Sequence, residues 1–131
     1  ILDVEKLGAG NIAAEAAVAA GATAALSDAT QTAVVFADGA TAVGGESIAD
    51  YTDTVDVLAF LNAALTVSST DVDGVAIIND LVNDKAYVYN MDVDAGSGDT
   101  DIESITLVGT VDIADADSPI TTANVDFVSA T

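Results

Sequence analysis

The chain has no cysteine, no histidine and no arginine, and lysine occurs only at Lys6 and Lys85 among its 131 residues. Without thiolates or imidazoles, the sequence lacks the ligands of zinc, copper and iron–sulfur centres, and it cannot form disulfides. The same absence removes the commonest bases and nucleophiles of enzymes. Three Phe, three Tyr and no Trp are too few aromatics for the cleft that a carboxylate-based glycosidase needs. The sequence therefore predicts a protein that is not an enzyme.

Positive charge is scarce, because 22 acidic residues face two basic ones and give a net charge of −20. Such a surface repels phosphate and anionic lipid head groups, so we expect no nucleic-acid partner. No segment approaches the roughly 18 consecutive apolar residues of a membrane span, so we expect no membrane insertion. A net charge this far from zero separates copies of a protein unless cations screen or bridge them. This favours an extracellular or cell-surface location with abundant salt or divalent ions.

The chain is nevertheless rich in small apolar residues, since hydrophobic side chains make up 51% of it. That share is too high for a disordered acidic tail. Most of these residues are Ala and Val, accompanied by many Thr, which favours sheets. No internal repeat or linker divides residues 1–131. We therefore predict a single mainly β domain, built as a sandwich-like sheet pair with one or two short α-helices.

Two segments are predicted as helices. Thr54–Leu65 is the clearer, because its apolar residues follow helical spacing, Thr54 can act as N-cap and Asp56 lies in the first turn. The Ala-rich segment Ile12–Ala20, closed by Gly21, is the second.

Most of the remaining apolar runs are β-branched or alternate with polar residues, and turn residues separate them. The predicted strands are Thr32–Ala37, Gly74–Asn79, Lys85–Asn90, Ser104–Val108 and Ala123–Ser129.

The segment Asn90–Glu103, with the sequence NMDVDAGSGDTDIE, concentrates oxygen ligands and has no basic residue. Hard oxygen donors at alternating positions, glycines that allow a turn and a later acid are the components of calcium loops. The candidate metal ligands are Asn90, Asp92, Asp94, Asp99, Asp101 and Glu103.

The segment departs from the EF-hand pattern, because Ala95 occupies the position after the third ligand where a glycine is expected, and because both flanks are predicted strands. The same residues are also consistent with an acidic loop exposed to solvent. A calcium site and a solvated loop therefore both remain possible on the sequence alone.

The order of these segments resembles the C-terminal region of type I secreted bacterial surface proteins, namely RTX-type adhesins and S-layer proteins. The similarity covers residues 54–131 and lies in Ala86–Asn90, Met91–Glu103, Ile105–Gly109 and Asp126–Val128. It implies export guided by an uncleaved C-terminal signal, a place on the cell surface and calcium-coupled folding. The glycine-rich nonapeptide repeats of calcium-binding RTX rolls are missing from this chain.

Two classes of function follow as expectations. The first is a self-assembling subunit of a surface layer or filament, stabilised by calcium, in which Ile1–Leu7 or Ala123–Ser129 is lent to the sheet of a neighbouring copy. The second is a monomeric calcium-dependent adhesin or matrix-binding module whose partner is a cell-surface polysaccharide or another surface protein. A third expectation is a domain that serves mainly as the C-terminal secretion signal.

Overall fold

The computed structural model describes residues 2–3, 12–26, 31–67, 73–93, 101–115 and 117–126. Within these ranges the chain forms nine strands and one α-helix. In chain order they are β1 (Leu2–Asp3), β2 (Ile12–Val18), β3 (Ala24–Ala25), β4 (Gln31–Phe36), α1 (Thr54–Ala64), β5 (Leu65–Thr66), β6 (Gly74–Asp80), β7 (Lys85–Val93), β8 (Ile102–Asp112) and β9 (Val125–Asp126). The mainly β prediction is confirmed.

A five-stranded mixed sheet in the order β2-β4-β6-β7-β8 forms the centre of the molecule. Strands β2, β4 and β6 run parallel, whereas β6, β7 and β8 form an antiparallel meander. All seven residues of β6 are buried, which explains why its sequence is a nearly continuous apolar run. The remaining ladders in the described ranges, β1-β9 and β3-β5, are two residues long in each strand. The predicted pair of sheets therefore takes the form of one large sheet and two very short ladders.

Helix α1 lies in the connection between the parallel strands β4 and β6, as such a crossover requires. Its N-cap is Asp53, whose side chain accepts a hydrogen bond from the Val55 N–H at 2.9 Å. The predicted cap at Thr54 is therefore wrong by one residue. Phe60 packs edge-on against Phe36 of β4, with ring centroids 5.4 Å apart. Within the described ranges, no helix has the length and apolar character needed to cross a membrane.

The predicted helix at Ile12–Ala20 is wrong, because this segment forms the edge strand β2 and pairs in parallel with β4. Val18 at its end is 3% exposed and belongs to the core. Gly21 has a φ of 72°, so the glycine that suggested a helix end in fact follows a strand. Pairing with β4 outweighs the helix preference of alanine, which is worth only tenths of a kcal/mol per residue.

The other predicted strands are confirmed with small changes of boundary, and the strand predicted at Ser104–Val108 is longer than expected, because β8 spans Ile102–Asp112. The predicted strand Ala123–Ser129 begins later, because a 3-10 turn occupies Thr122–Asn124 before β9. Residues 127–131 lie outside the described residues. β9 pairs in parallel with β1, Leu2 opposite Val125.

Apolar side chains cover both faces of the large sheet. The face toward α1 carries the larger cluster, which includes Tyr89, Met91 and Ile105 together with the buried side of the helix. The opposite face carries a smaller cluster built from β4, β6 and β7, against which Ile120 packs. Asn79 is 0% exposed at the end of β6, and its side chain holds the Ile120 segment in place.

Gly39 follows β4 at the point where the chain passes closest to the core. Its N–H donates to the Asn79 carbonyl at 3.2 Å. A Cβ atom at this position would lie 2.8 to 2.9 Å from three core side chains. They belong to Ile48, Ile78 and Tyr51.

Candidate functional site

Three strand ends meet at one end of the sheet, because the meander places the start of β6, the end of β7 and the start of β8 side by side. Gly74 lies opposite Met91, and Val93 lies opposite Ile102. Asp73, directly before β6, accepts a hydrogen bond from the Val93 N–H at 2.8 Å. We call this region, made by residues 73, 90–93 and 101–104, the acidic end of the sheet.

The structure brings four of the six predicted metal ligands to the acidic end. Asn90 and Asp92 lie on β7, Asp101 directly precedes β8, and Glu103 lies on β8. The two others, Asp94 and Asp99, lie outside the described residues. Asp92, Asp101 and Glu103 are exposed, so the described ligands come from both strands that flank the segment 94–100.

Asp92 and Ser104 lie directly opposite each other on β7 and β8. The Ser104 hydroxyl donates to Asp92 Oδ2 at 3.4 Å, a long hydrogen bond. The register shifts between Asp92 and Val93, so that β8 contains one extra residue, Glu103, at this point. Such a bulge turns a side chain away from the regular strand direction and is common next to functional sites.

Asn90 has a side-chain oxygen that is enclosed by protein and has no hydrogen-bond partner among the residues that the structure describes. Its neighbours across the sheet are Val75 on β6 and Thr106 on β8. An enclosed amide oxygen without a donor costs about 1–3 kcal/mol, and a bound cation or water removes that cost. Asn90 points to the same side of β7 as Asp92, because the two residues are separated by two positions.

Taken alone, the described residues do not complete a metal site. Within them, no group of three or more His, Cys, Asp or Glu side chains has a geometry that could hold an ion. Calcium takes six to eight oxygen ligands, so the segment 94–100 would have to add Asp94 or Asp99 to the shell.

Positive charge lies at the other end of β7. Lys85 Nζ contacts Asp112 Oδ1 at 2.6 Å. The hydrogen bond and the charge of Lys85 lower the pKa of Asp112, and Asp112 raises the pKa of Lys85 in the same way. Lys85 and Val93 are the two ends of a strand about 27 Å long, so this lysine does not neutralise the acidic end.

Two residues that hold the acidic end in place were not among the six predicted metal ligands. Asp73 holds the end of β7 through the Val93 N–H. Asn62 of α1 donates to the Ile102 carbonyl at 3.0 Å and accepts from the Ile102 N–H at 2.8 Å. The amide of Asn62 thus fixes the first residue of β8 against the helix. Both contacts join residues at least 20 positions apart, so no local pattern could have indicated them.

Acidic residues also shape the turn between β6 and β7, at Asp80 and Asp84. Asp80 is 2% exposed, and its Oδ1 accepts from the N–H groups of Val82 and Asn83, while its Oδ2 accepts from the Asn83 amide. Asp84 closes the same turn with a φ of 53°. The Asp80 carboxylate is thus engaged in shaping the β6–β7 turn.

A cluster of tyrosines lies at the other end of the core, near the carboxyl ends of β4 and β6. Tyr51 stacks on Tyr87 with ring centroids 5.2 Å apart, and the Tyr89 hydroxyl donates to the Tyr51 carbonyl. Burial raises the pKa of Tyr89 to about 12. Burial also raises the pKa of Tyr51, and the carboxylates of Asp38 and Asp80 add to that shift.

Comparison of the chain with protein-family models, with curated proteins and with solved structures found no match.

Proposed function

We propose that this chain is a non-catalytic structural protein of the cell surface or extracellular space, that it assembles with copies of itself, and that calcium bound at the acidic end stabilises it. The observation that supports the calcium part is that Asp92, Asp101 and Glu103 lie at the adjoining ends of β7 and β8, with Asn90, whose side-chain oxygen has no hydrogen-bond partner among the described residues, two positions before Asp92. Asp94 and Asp99 are the further ligands in this proposal.

The charge of the chain supports the same proposal. A net charge of −20 opposes both compact folding and association. A divalent cation at the acidic end would offset the repulsion among the carboxylates on the adjoining ends of β7 and β8. The extracellular location and the export route are supported by the resemblance of residues 54–131 to type I secreted surface proteins.

The assembly part is supported by the sheet, whose outer strands are β2 and β8. Sheet edges are surfaces on which a further strand can be added. The segments predicted for exchange, Ile1–Leu7 and Ala123–Ser129, meet within one chain through β1 and β9. The same pairing between two copies would link them without new contacts.

Thermal unfolding with calcium, with magnesium and with excess chelator tests the calcium part. At a free calcium concentration one hundred times Kd, binding adds about 2.7 kcal/mol to the free energy of unfolding. For a domain of this size that raises Tm by roughly 10 °C. We expect a much smaller rise with magnesium, which keeps its waters and uses fewer carboxylates.

Two matched variants locate the effect. Asp92→Asn should lose most of the calcium-dependent rise, while its Tm in chelator stays the same or increases because one repelling charge is gone. Asp117→Asn makes the same charge change in the exposed turn after β8 and should keep the full rise. An equal calcium response in both variants would place the site elsewhere, and a wild-type chain without a response would remove calcium from the proposal.

Light scattering on the same samples separates the two predicted classes. Particles that grow when calcium is added support an assembling subunit. A calcium-stabilised chain that remains at 13.0 kDa at high concentration would instead support the monomeric binding module.

A further inference from the structure

The outer strand β8 has an uncharged central stretch. Ser104–Val111 contains no charged residue, although acids flank it at Glu103 and Asp112. β8 is 11 residues long and lies at an edge of the sheet. Natural edge strands usually carry charges or proline, which prevent the addition of another strand. This stretch has neither.

Two features confine the accessible part of the edge. At one end, the side chain of Asn62 bonds both backbone groups of Ile102 and so takes the place of a further strand there. At the other end, the register shifts a second time. Leu107 pairs with Tyr89 and Gly109 pairs with Val88, so that Val108 is an extra residue of β8 without a partner on β7. The regular stretch between the two bulges is Ser104–Leu107.

An apolar groove of about 370 Å³ runs beside this stretch, between α1 and β8. Its apolar walls are Val55, Leu58 and Ala59 of the helix and Ile105 of the strand. Val55 is 76% exposed, which is unusual for a large apolar side chain beside a core. An incoming strand would therefore find both a strand edge and a place for an apolar side chain.

The side chain that fits this groove is present on the same strand. Leu107 is 36% exposed and lies opposite Tyr89, whose side chain belongs to the core beneath α1. Directly opposed residues share a face of the sheet, so Leu107 lies on the face that carries α1 and the groove. Groove and apolar side chain therefore occur together on one surface.

We infer that a second copy of the chain adds its own β8 antiparallel to this edge, with Thr106 of one copy opposite Thr106 of the other at a two-fold axis. This register places Leu107 of each copy opposite Ile105 of its partner, on the α1 face and beside the groove. The surface is self-complementary, as a two-fold contact requires. A Thr–Thr pair at the axis is favourable in antiparallel sheets.

The lack of charge in Ser104–Val111 favours a second copy over a basic peptide as the occupant, because this stretch offers a basic side chain no carboxylate. The uncharged stretch is the part of β8 where two acidic copies can approach with the least repulsion. Association of two copies, each with a charge of −20, strengthens when salt screens them, whereas binding of a basic peptide weakens. The inference rests on the proposed function for its role in assembly, but the β8 contact needs no calcium.

Crosslinking through a single introduced cysteine tests the register, because the natural chain has no cysteine. Opposed residues of an antiparallel pair have Cα atoms about 4.5–5.5 Å apart, within the range that a disulfide spans. Thr106→Cys should therefore oxidise to a disulfide-linked dimer at least tenfold faster than Val82→Cys. Val82 is 82% exposed in the β6–β7 turn and reports the rate of random collisions. Equal rates would overturn the inference.

Sedimentation in excess chelator at increasing sodium chloride gives an independent test. The wild-type chain should shift from 13.0 kDa toward twice that mass as salt increases. Thr106→Lys, which brings two like charges together at the axis, should remain monomeric. Val82→Lys makes the same change of net charge away from β8 and should dimerise like the wild type. A salt-independent monomer, or a Thr106→Lys dimer, would contradict the β8 contact.

These results stay distinguishable from those on calcium. A dimer in chelator together with a calcium-independent Tm supports the β8 contact and rejects the calcium site. A calcium-dependent Tm together with a monomer at all salt concentrations does the reverse.

Discussion

Asn79 is the residue whose loss should most clearly separate one part of the fold from the rest. Its amide donates to the carbonyls of Phe36 at 2.8 Å and Ile120 at 2.9 Å, and its side-chain oxygen accepts from the Ile120 N–H at 2.8 Å. One side chain at the end of β6 thus joins the end of β4 to the segment that leads to β9. We therefore expect Asn79→Ala to weaken the attachment of this segment.

The magnitude follows from the burial of these bonds. A net contribution of about 1 kcal/mol per hydrogen bond gives about 3 kcal/mol for the set. If the segment around Ile120 moves away in the variant, its backbone groups become hydrated and the loss falls toward about 1 kcal/mol. We therefore expect Asn79→Ala to lower the free energy of unfolding by about 1–3 kcal/mol. Asn79→Asp should cost more at neutral pH, since it places a buried negative charge against two carbonyl oxygens.

Urea unfolding measures the global loss, and hydrogen exchange at the Ile120 N–H measures the local one. Asn83→Ala is the control, because Asn83 makes one side-chain bond, to Asp80 at 2.7 Å, in an exposed turn; it should cost about 1 kcal/mol or less. If Asn79→Ala is no more destabilising than Asn83→Ala, and Ile120 exchange is unchanged, the reasoning is wrong.

Two further predictions concern the core. Gly39→Ala should lower the free energy of unfolding by about 1–3 kcal/mol, because the added Cβ meets three core side chains. Gly109→Ala is the control and should be neutral, because an added Cβ meets no atom there. Equal effects of the two variants in urea unfolding would contradict this prediction. The pKa of Tyr89 is raised to about 12 from an ordinary 10.0. Because the folded state holds this proton more tightly than the unfolded state, the contribution of Tyr89 to the free energy of unfolding is full below pH 10 and is lost as the pH rises from 10 toward 12. Tyr89→Phe should make this alkaline loss less steep, and an unchanged slope would refute the assignment.

Helix α1 and the four strands β4, β6, β7 and β8 were predictable from sequence because their signals are local. Helical spacing identified Thr54–Leu65, and β-branched runs identified β4, β6, β7 and β8. The Ala-rich segment was not predictable, since alanine is compatible with a helix and with a small edge strand, and only the neighbouring β4 decides between them. The parallel arrangement also depends on pairing across the α1 crossover, which spacing does not reveal.

The candidate site was predictable in its position but not in its supporting residues. Clustered acids marked the segment between Asn90 and Glu103, and the β7–β8 register brings its two ends together. Asp73 and Asn62 reach this region through contacts of 20 and 40 positions in sequence. The unpartnered oxygen of Asn90 becomes visible only once β6 and β8 enclose it.

The mixed sheet has two chemically different edges, because β2 is bonded through a parallel ladder and β8 through an antiparallel one. A two-fold contact through β8 uses that edge on both copies, so it closes at two chains and leaves β2 outermost on each side. Growth into a layer or a fibre then needs a second, unlike contact, through β2 or through exchange of β1 and β9. In the proposed assembly, the β8 edge would therefore limit the basic unit to two chains, and a different contact would determine whether these units join into a layer or a fibre.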